Sequence, residues 1–299
     1  MSSSFLRIMT IAENTLTESL RQRVLHLILL VGIVFIFSSL FISDLSVQMD
    51  RFKLLKDIGY AGLSLTGLVI SLLSTAQLIP GEIEKKTIYT TLSKPIWRFE
   101  YVIGKYLGLV CLITLVTVSL AVIIYLVLLS QEAMELCFRQ QIGFFTWLTG
   151  SYSDFPEPMR DYIHSIQSES RDSGLFLALL LVWAKLCVIT VIAVFFSTFA
   201  TSTAFIVWNT LLIMFIGHLQ YLAKMHWLYN DLTSNALKLL FIAVVGWIIP
   251  DFEIYNLIDD VILGKYLPWK ACFDVLWYSA LYISIMLVLS ALIFEEREL

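Results

Sequence analysis

Charged residues are sparse in this sequence, so the places where they gather are where chemistry is to be sought. The densest gathering is GEIEKKTIYTTLSKPIWRFEYVIGKYLG, residues 81–108, where Glu82, Glu84, Lys85, Lys86, Lys94, Arg98, Glu100 and Lys105 stand between two long apolar runs. Pro95 lacks a backbone donor and its ring obstructs the preceding turn. A helix begun at Glu82 is therefore expected to break near Ser93–Pro95, with a second helix running on into the next apolar run. A short helix bearing both signs of charge is a docking surface for another polypeptide. Glu82 and Glu84 would offer carboxylates to basic or amide groups there, and rim ion pairs of that kind set register and association rate. An ordinary solvated loop is the other reading of the same composition.

A second set of polar residues lies inside the apolar runs. Ser64, Gly67, Ser71 and Ser74 fall on one helical face. Small faces let helices approach closely, and their hydroxyls bond across at ~0.6–2 kcal/mol each. Helix packing is the leading reading of that face, and lining of a substrate path the other. Gly104 and Gly108 make a further small-xxx-small pair, read as packing. Lys185 is the one charge well inside a run. A central lysine costs at least ~2.5–3.5 kcal/mol on insertion scales. It should face a cavity, pair with a carboxylate, snorkel, or be lifted to the headgroups by an outer extension of its helix. Asn209 reads as an interhelical hydrogen-bond partner. His218 and His226 are eight residues apart, poor spacing for chelation on one helix, so no metal is expected. Cys111, Cys137, Cys187 and Cys272 show no C-x-x-C spacing. A disulfide between Cys137 and Cys272 is possible by location only. No Ser/His/Asp or Cys/His set is positioned for catalysis.

These residues must be held by membrane helices. Of the 299 residues, 59% are hydrophobic and only 15% charged, and the mean hydropathy is +0.82. A soluble globule sits nearer 45–50% apolar and about 25% charged. A bilayer core of ~30 Å needs about 20 apolar residues in a helix. Six runs qualify: Val24–Ile42, Ile58–Ile79, Tyr106–Leu129, Leu175–Ala200, Ala200–Tyr221 and Val275–Phe294. Each must be helical, because lipid offers the backbone no partner. Leu239–Ile249 is too short to span and ends at Pro250, so 236–270 is expected to be a re-entrant or outer hairpin; a full span beginning near Ala236 is the rival. Residues 1–23 place Phe5, Ile8, Met9, Ala12, Leu16 and Leu20 at helical spacing, which predicts an amphipathic interfacial helix leading into the first span and not a cleaved leader. Residues 130–174, with SYSDFPEPMRDY, read as a polar outer loop. In an N-in arrangement Lys and Arg are denser in the cytoplasmic pieces, which favours that orientation. A net charge of −4 makes nucleic acid a poor partner.

The order of motifs resembles the permeases of type-2 ABC transporters. Glu82-x-Glu84-x-x-Thr87, Leu92-Ser93-Lys94-Pro95-Ile96-x-Arg98 and Gly104-Lys105 look like the cytoplasmic coupling segment of that family. ENTLTESLRQRVLHLILL resembles its elbow helix. FFSTFATSTA resembles its turn between the fourth and fifth spans. PDFEIYNLIDDVILGK resembles its outer hairpin, with Pro250, Asp251 and Asn256, and FEEREL its charged tail. The subgroup serving nitrous oxide reductase maturation and gliding motility is the closest likeness. Only 130–174 stands outside the resemblance. The resemblance implies an all-α, six-span exporter subunit in a bacterial inner membrane, with both termini cytoplasmic and a second permease copy or paralogue beside it. It also implies that Glu82, Glu84, Lys86, Thr87, Lys94, Pro95, Arg98, Gly104 and Lys105 couple to a separate ATPase subunit that binds ATP and Mg. The chain itself has no G-x-x-x-x-G-K-[ST] phosphate loop. Two other classes remain: a secondary carrier or channel, which commonly shows paired repeats with broken helices, and an intramembrane enzyme, which needs paired catalytic groups at depth.

Overall fold

A computed structural model describes residues 2–44, 51–84, 97–150, 152, 155–172, 174–229, 249–257 and 268–296. Among these the regular structure is helical throughout. The elements are α1 (Ser2–Leu20), α2 (Arg23–Asp44), α3 (Arg51–Glu84), α4 (Arg98–Ala133), α5 (Phe144–Thr149), α6 (Glu157–Ser170), α7 (Gly174–Phe199), α8 (Thr203–Tyr229) and α9 (Trp269–Glu296). A π-helical turn, Met134–Arg139, prolongs α4, and a 3-10 turn spans Phe252–Asn256. Helices α2, α3, α4, α7, α8 and α9 are long and apolar enough to cross a membrane. They carry the six apolar runs of the sequence.

α7 is the hub. It packs on α3, α4, α8 and α9, and Leu181, Val182, Leu186, Val188, Ile189 and Ile192 are buried on it. Its neighbours are tied by hydroxyls: Trp183 Nε1 donates to Thr114 Oγ1 of α4 at 2.9 Å, and Tyr60 of α3 donates to the Leu175 carbonyl at 2.6 Å. α2 lies at the edge, with Leu27, Leu30, Val31 and Val34 exposed as a lipid-facing helix requires. At the turn between α7 and α8, Phe195, Phe196, Phe199 and Phe205 meet edge to face, ring centroids 5.5–6.4 Å apart. Edge-to-face contact suits the positive rim and negative face of aromatic rings.

Three elements differ from expectation. α3 does not stop at Ile79; it runs through Pro80 to Glu84. Pro80 costs that helix one backbone bond near its end. The stretch 130–174 is not a polar loop but largely helical, formed by the end of α4, the π turn, α5 and α6. Its organiser is Glu132, whose side chain is fully buried. Glu132 accepts from Trp147 Nε1 at 3.0 Å, Ser170 Oγ at 2.6 Å and the Arg171 guanidinium at 2.8 and 3.2 Å. A buried carboxylate is tolerated when its lone pairs are filled in this way. Lys56 of α3 adds an ion pair to Asp172 at 3.6 Å. The third is α1, a helix that does not present its whole apolar stripe to the surroundings. Ala12, with Thr15 and Ser19, is buried, while Phe5, Leu6 and Met9 are exposed. The buried side lies along α4.

Candidate functional site

Residues 85–96, with Lys86, Thr87, Lys94 and Pro95, lie outside the described residues, as do the side chains of Glu82 and Glu84 in the last turn of α3. The structure describes the point where this segment rejoins the bundle, at the start of α4. Arg98 Nη1 donates to the carbonyls of Phe294 at 3.0 Å and Glu295 at 2.8 Å. These are among the last carbonyls of α9, which have no intrahelical donor. A cation there also answers the negative end of the helix dipole. Tyr101, one turn further on, stacks on Phe294 with centroids 5.5 Å apart. Arg98 therefore binds the end of α9.

The same first turns of α4 hold α1. Arg7 makes a two-pronged pair with Glu100, at 2.9 Å and 2.8 Å, the planar fork geometry that gives such pairs their directionality. Lys105 is buried, 4.0 Å from Glu18 of α1 and over the Tyr101 ring. Gly104 and Gly108 form the groove in which α1 lies. A Cβ on Gly108 would come within 2.6 Å of the Ala12 carbonyl oxygen, a backbone atom that cannot turn aside. So Gly104 and Lys105 sit beneath α1, and the first turns of α4 join α1, α4 and α9. Sequence reading singled out Arg98, Gly104 and Lys105 but missed Arg7 and Glu100 as a pair; nothing in the spacing of residues 93 positions apart signals it.

Within the bundle, the small face of α3 meets α7. Gly67 receives the Leu186 side chain, and Ser71 and Thr190 share a buried hydrogen bond of 2.8 Å. Ser74 is buried and Ser64 half-buried. Asn209 does not reach another helix in its described bond; its side-chain amide donates to the Phe205 carbonyl of its own helix at 2.8 Å. α7 begins at Gly174, which puts Lys185 eleven residues into it. Lys185 Nζ is 3.3 Å from His218 Nε2 on α8.

Of the expected hairpin, 236–248 and 258–267 lie outside the described residues, and the part between them packs inward. Pro250 is buried, and Phe252 and Tyr255 are fully so. A Cβ on Gly217 would stand 2.5 Å from the Pro250 carbonyl oxygen. Asp251 caps the 3-10 turn, its Oδ1 accepting from Glu253 N at 3.1 Å, while its own N–H donates to Tyr278 of α9 at 3.0 Å. Asn256 ends the turn, half-buried. Tyr255 and Ser279 share a buried hydroxyl contact. Cys137 and Cys272 are both free thiols. Among the described residues no group of three His, Cys, Asp or Glu side chains could hold a metal ion.

No curated protein matches the chain. A family model does: residues 9–152 match the ABC-2 family transporter proteins. The matched stretch begins in α1, passes through the first three spans and ends beyond α5, just short of half the chain. It contains the charged segment and Glu100, though not Arg7, and it supports reading this multi-pass chain as a type-2 ABC permease.

Proposed function

We propose that this chain is the membrane subunit of an ATP-driven exporter, working beside a second permease copy or paralogue and energised by a separate ATPase on the cytoplasmic side. The observation that carries the reading is the family match over residues 9–152, which includes all of the charged segment 81–105. Glu82, Glu84, Lys86, Thr87, Lys94 and Pro95 form the surface that meets the ATPase. Arg98 receives the displacement and hands it to α9, and Glu100 hands it to α1. Gly104 and Lys105 act behind that surface, by seating α1. Phe5, Leu6 and Met9 lie among lipid headgroups, where their exposure is favourable. ATP and Mg belong to the partner. Both termini face the cytoplasm of a bacterial inner membrane. The exporter direction and the likeness to the nitrous-oxide-reductase-maturation and gliding subgroup rest on motif order.

The test is co-purification. The native chain should bring down an ATPase, and Glu84→Arg should lose it while the permease remains folded and in the membrane. A complex that survives Glu84→Arg unchanged removes the docking role of this segment.

A further inference from the structure

We propose that the groove between α2 and α3 binds an acyl chain of an anionic phospholipid, whose phosphate sits at Arg21 and Arg23. The inference is independent of the transport reading and needs only that α2 spans a bilayer.

α2 and α3 approach closely through glycines. Gly32 meets the Thr66 side chain, and a Cβ on Gly62 would stand 2.6 Å from the Phe35 ring. Beside this crossing lies a groove of about 350 Å³. Leu27, Val31 and Phe35 form one wall and Leu65 and Val69 the other, and all five are exposed. Among the described lining residues only Thr66 carries a hydroxyl, and it donates to the Gly62 carbonyl at 2.7 Å. The lining therefore suits hydrocarbon.

The charge lies at one end. Leu27, Val31 and Phe35 are four residues apart and share a helix face, and Arg23, four residues before Leu27, lies on that face as the first residue of α2. Helical side chains lean toward the N-terminus, which carries the guanidinium out of the groove to the headgroup level. Arg21 and Arg23 are both exposed, and among the described residues neither side chain has a hydrogen bond or an ion pair. Nearby cations are committed, Arg7 to Glu100 and Arg98 to the carbonyls that end α9. No acidic residue stands between Glu18 and Asp44, or between Asp57 and Glu82, so neither wall of the groove opposes an anion.

The length selects the occupant. From Leu27 to Phe35 the groove runs about 12 Å, and Phe35, about 18 Å from Arg23, closes it near the middle of the ~30 Å hydrocarbon core. That is the reach of a lipid chain from one leaflet. A helix from a second copy would run across both leaflets.

The test uses the full chain in phosphatidylcholine nanodiscs containing a small fraction of a lipid with a photoreactive diazirine in its acyl chain. That lipid is either phosphatidylglycerol or phosphatidylcholine, and peptide mapping reads where each attaches. A cation at the membrane surface favours an anionic lipid by roughly fivefold. Phosphatidylglycerol should therefore label residues 24–36 and 62–69 roughly tenfold or more above phosphatidylcholine, and salt should shrink the preference. Arg21→Gln with Arg23→Gln should bring the ratio close to equality. Val31→Trp, which fills the groove and keeps both arginines, should lose the groove labelling while the exposed α9 face at Trp277 and Leu281 keeps its own. Equal labelling of the native groove by the two lipids means ordinary annular lipid and overturns the proposal. So does a preference that survives loss of both arginines, or groove labelling that Val31→Trp leaves unchanged. Efficient disulfide formation between copies carrying Val31→Cys would place a second copy on the groove and overturns it as well.

Discussion

Arg98 spends its guanidinium on the carbonyls of Phe294 and Glu295, which makes it a brace and not a free docking cation. Arg98→Ala should strip those carbonyls of a charged donor, a loss of about 1.5–3 kcal/mol. Thermal unfolding in detergent should show the drop, and Arg98→Lys, a point charge without the planar fork, should recover only part of it. Glu132 makes a second residue-scale case. Arg171→Ala would leave its carboxylate buried with only Trp147 and Ser170 as described donors. Unpairing a buried charge costs about 3–5 kcal/mol, and because the Arg171 side chain is 45% exposed the lower end is expected. Limited proteolysis near residues 155–172 should then cut the variant faster than the native chain. Neither role is visible in one dimension. Arg98 was legible as a charge before an apolar run, but its acceptors are backbone atoms 196 and 197 positions later. Glu132 reads as one more polar residue at the end of a span until Arg171, Ser170 and Trp147 are brought to it by folding.

At the scale of elements, legibility follows the source of stability. The six long helices were readable because lipid forces apolar runs of about 20 residues into helices whatever they touch. α1 was readable from its periodicity, yet which side it buries was not, because the groove belongs to Gly104 and Gly108 on another helix. Gly108→Leu should lift α1 from that groove, since the new side chain meets the Ala12 carbonyl and Thr15. Overpacking of this kind costs about 1–3 kcal/mol. A cysteine pair placed across α1 and α4 should crosslink readily in the native background and slowly in the variant. α5 and α6 were missed because they are short helices set by tertiary partners, and the prolines of SYSDFPEP read as turns. Two of the signals were present in α6: Ile163 and Ile166, three residues apart, are both buried.

For the whole molecule, the decisive question is which side of the bilayer carries residues 81–100. A single cysteine at position 94 should react with a membrane-impermeant reagent only after the cytoplasmic face is opened. Labelling from the outer face of intact cells would reverse the orientation and end the ATPase-coupled reading. The path of force is a whole-molecule property as well. In the proposed coupling, displacement of the charged segment would reach α1 through Glu100 and α9 through Arg98, whereas α7 and α8 are held to each other at two heights. The phenylalanine cluster fastens them beside their turn, and Lys185 with His218 fastens them about 20 Å further along. A hairpin fastened at two levels resists scissoring. Spin labels on α7 and α8 should then keep a constant separation when the chain works with an ATPase partner, and a separation that changes would show that the two contacts do not hold the hairpin together.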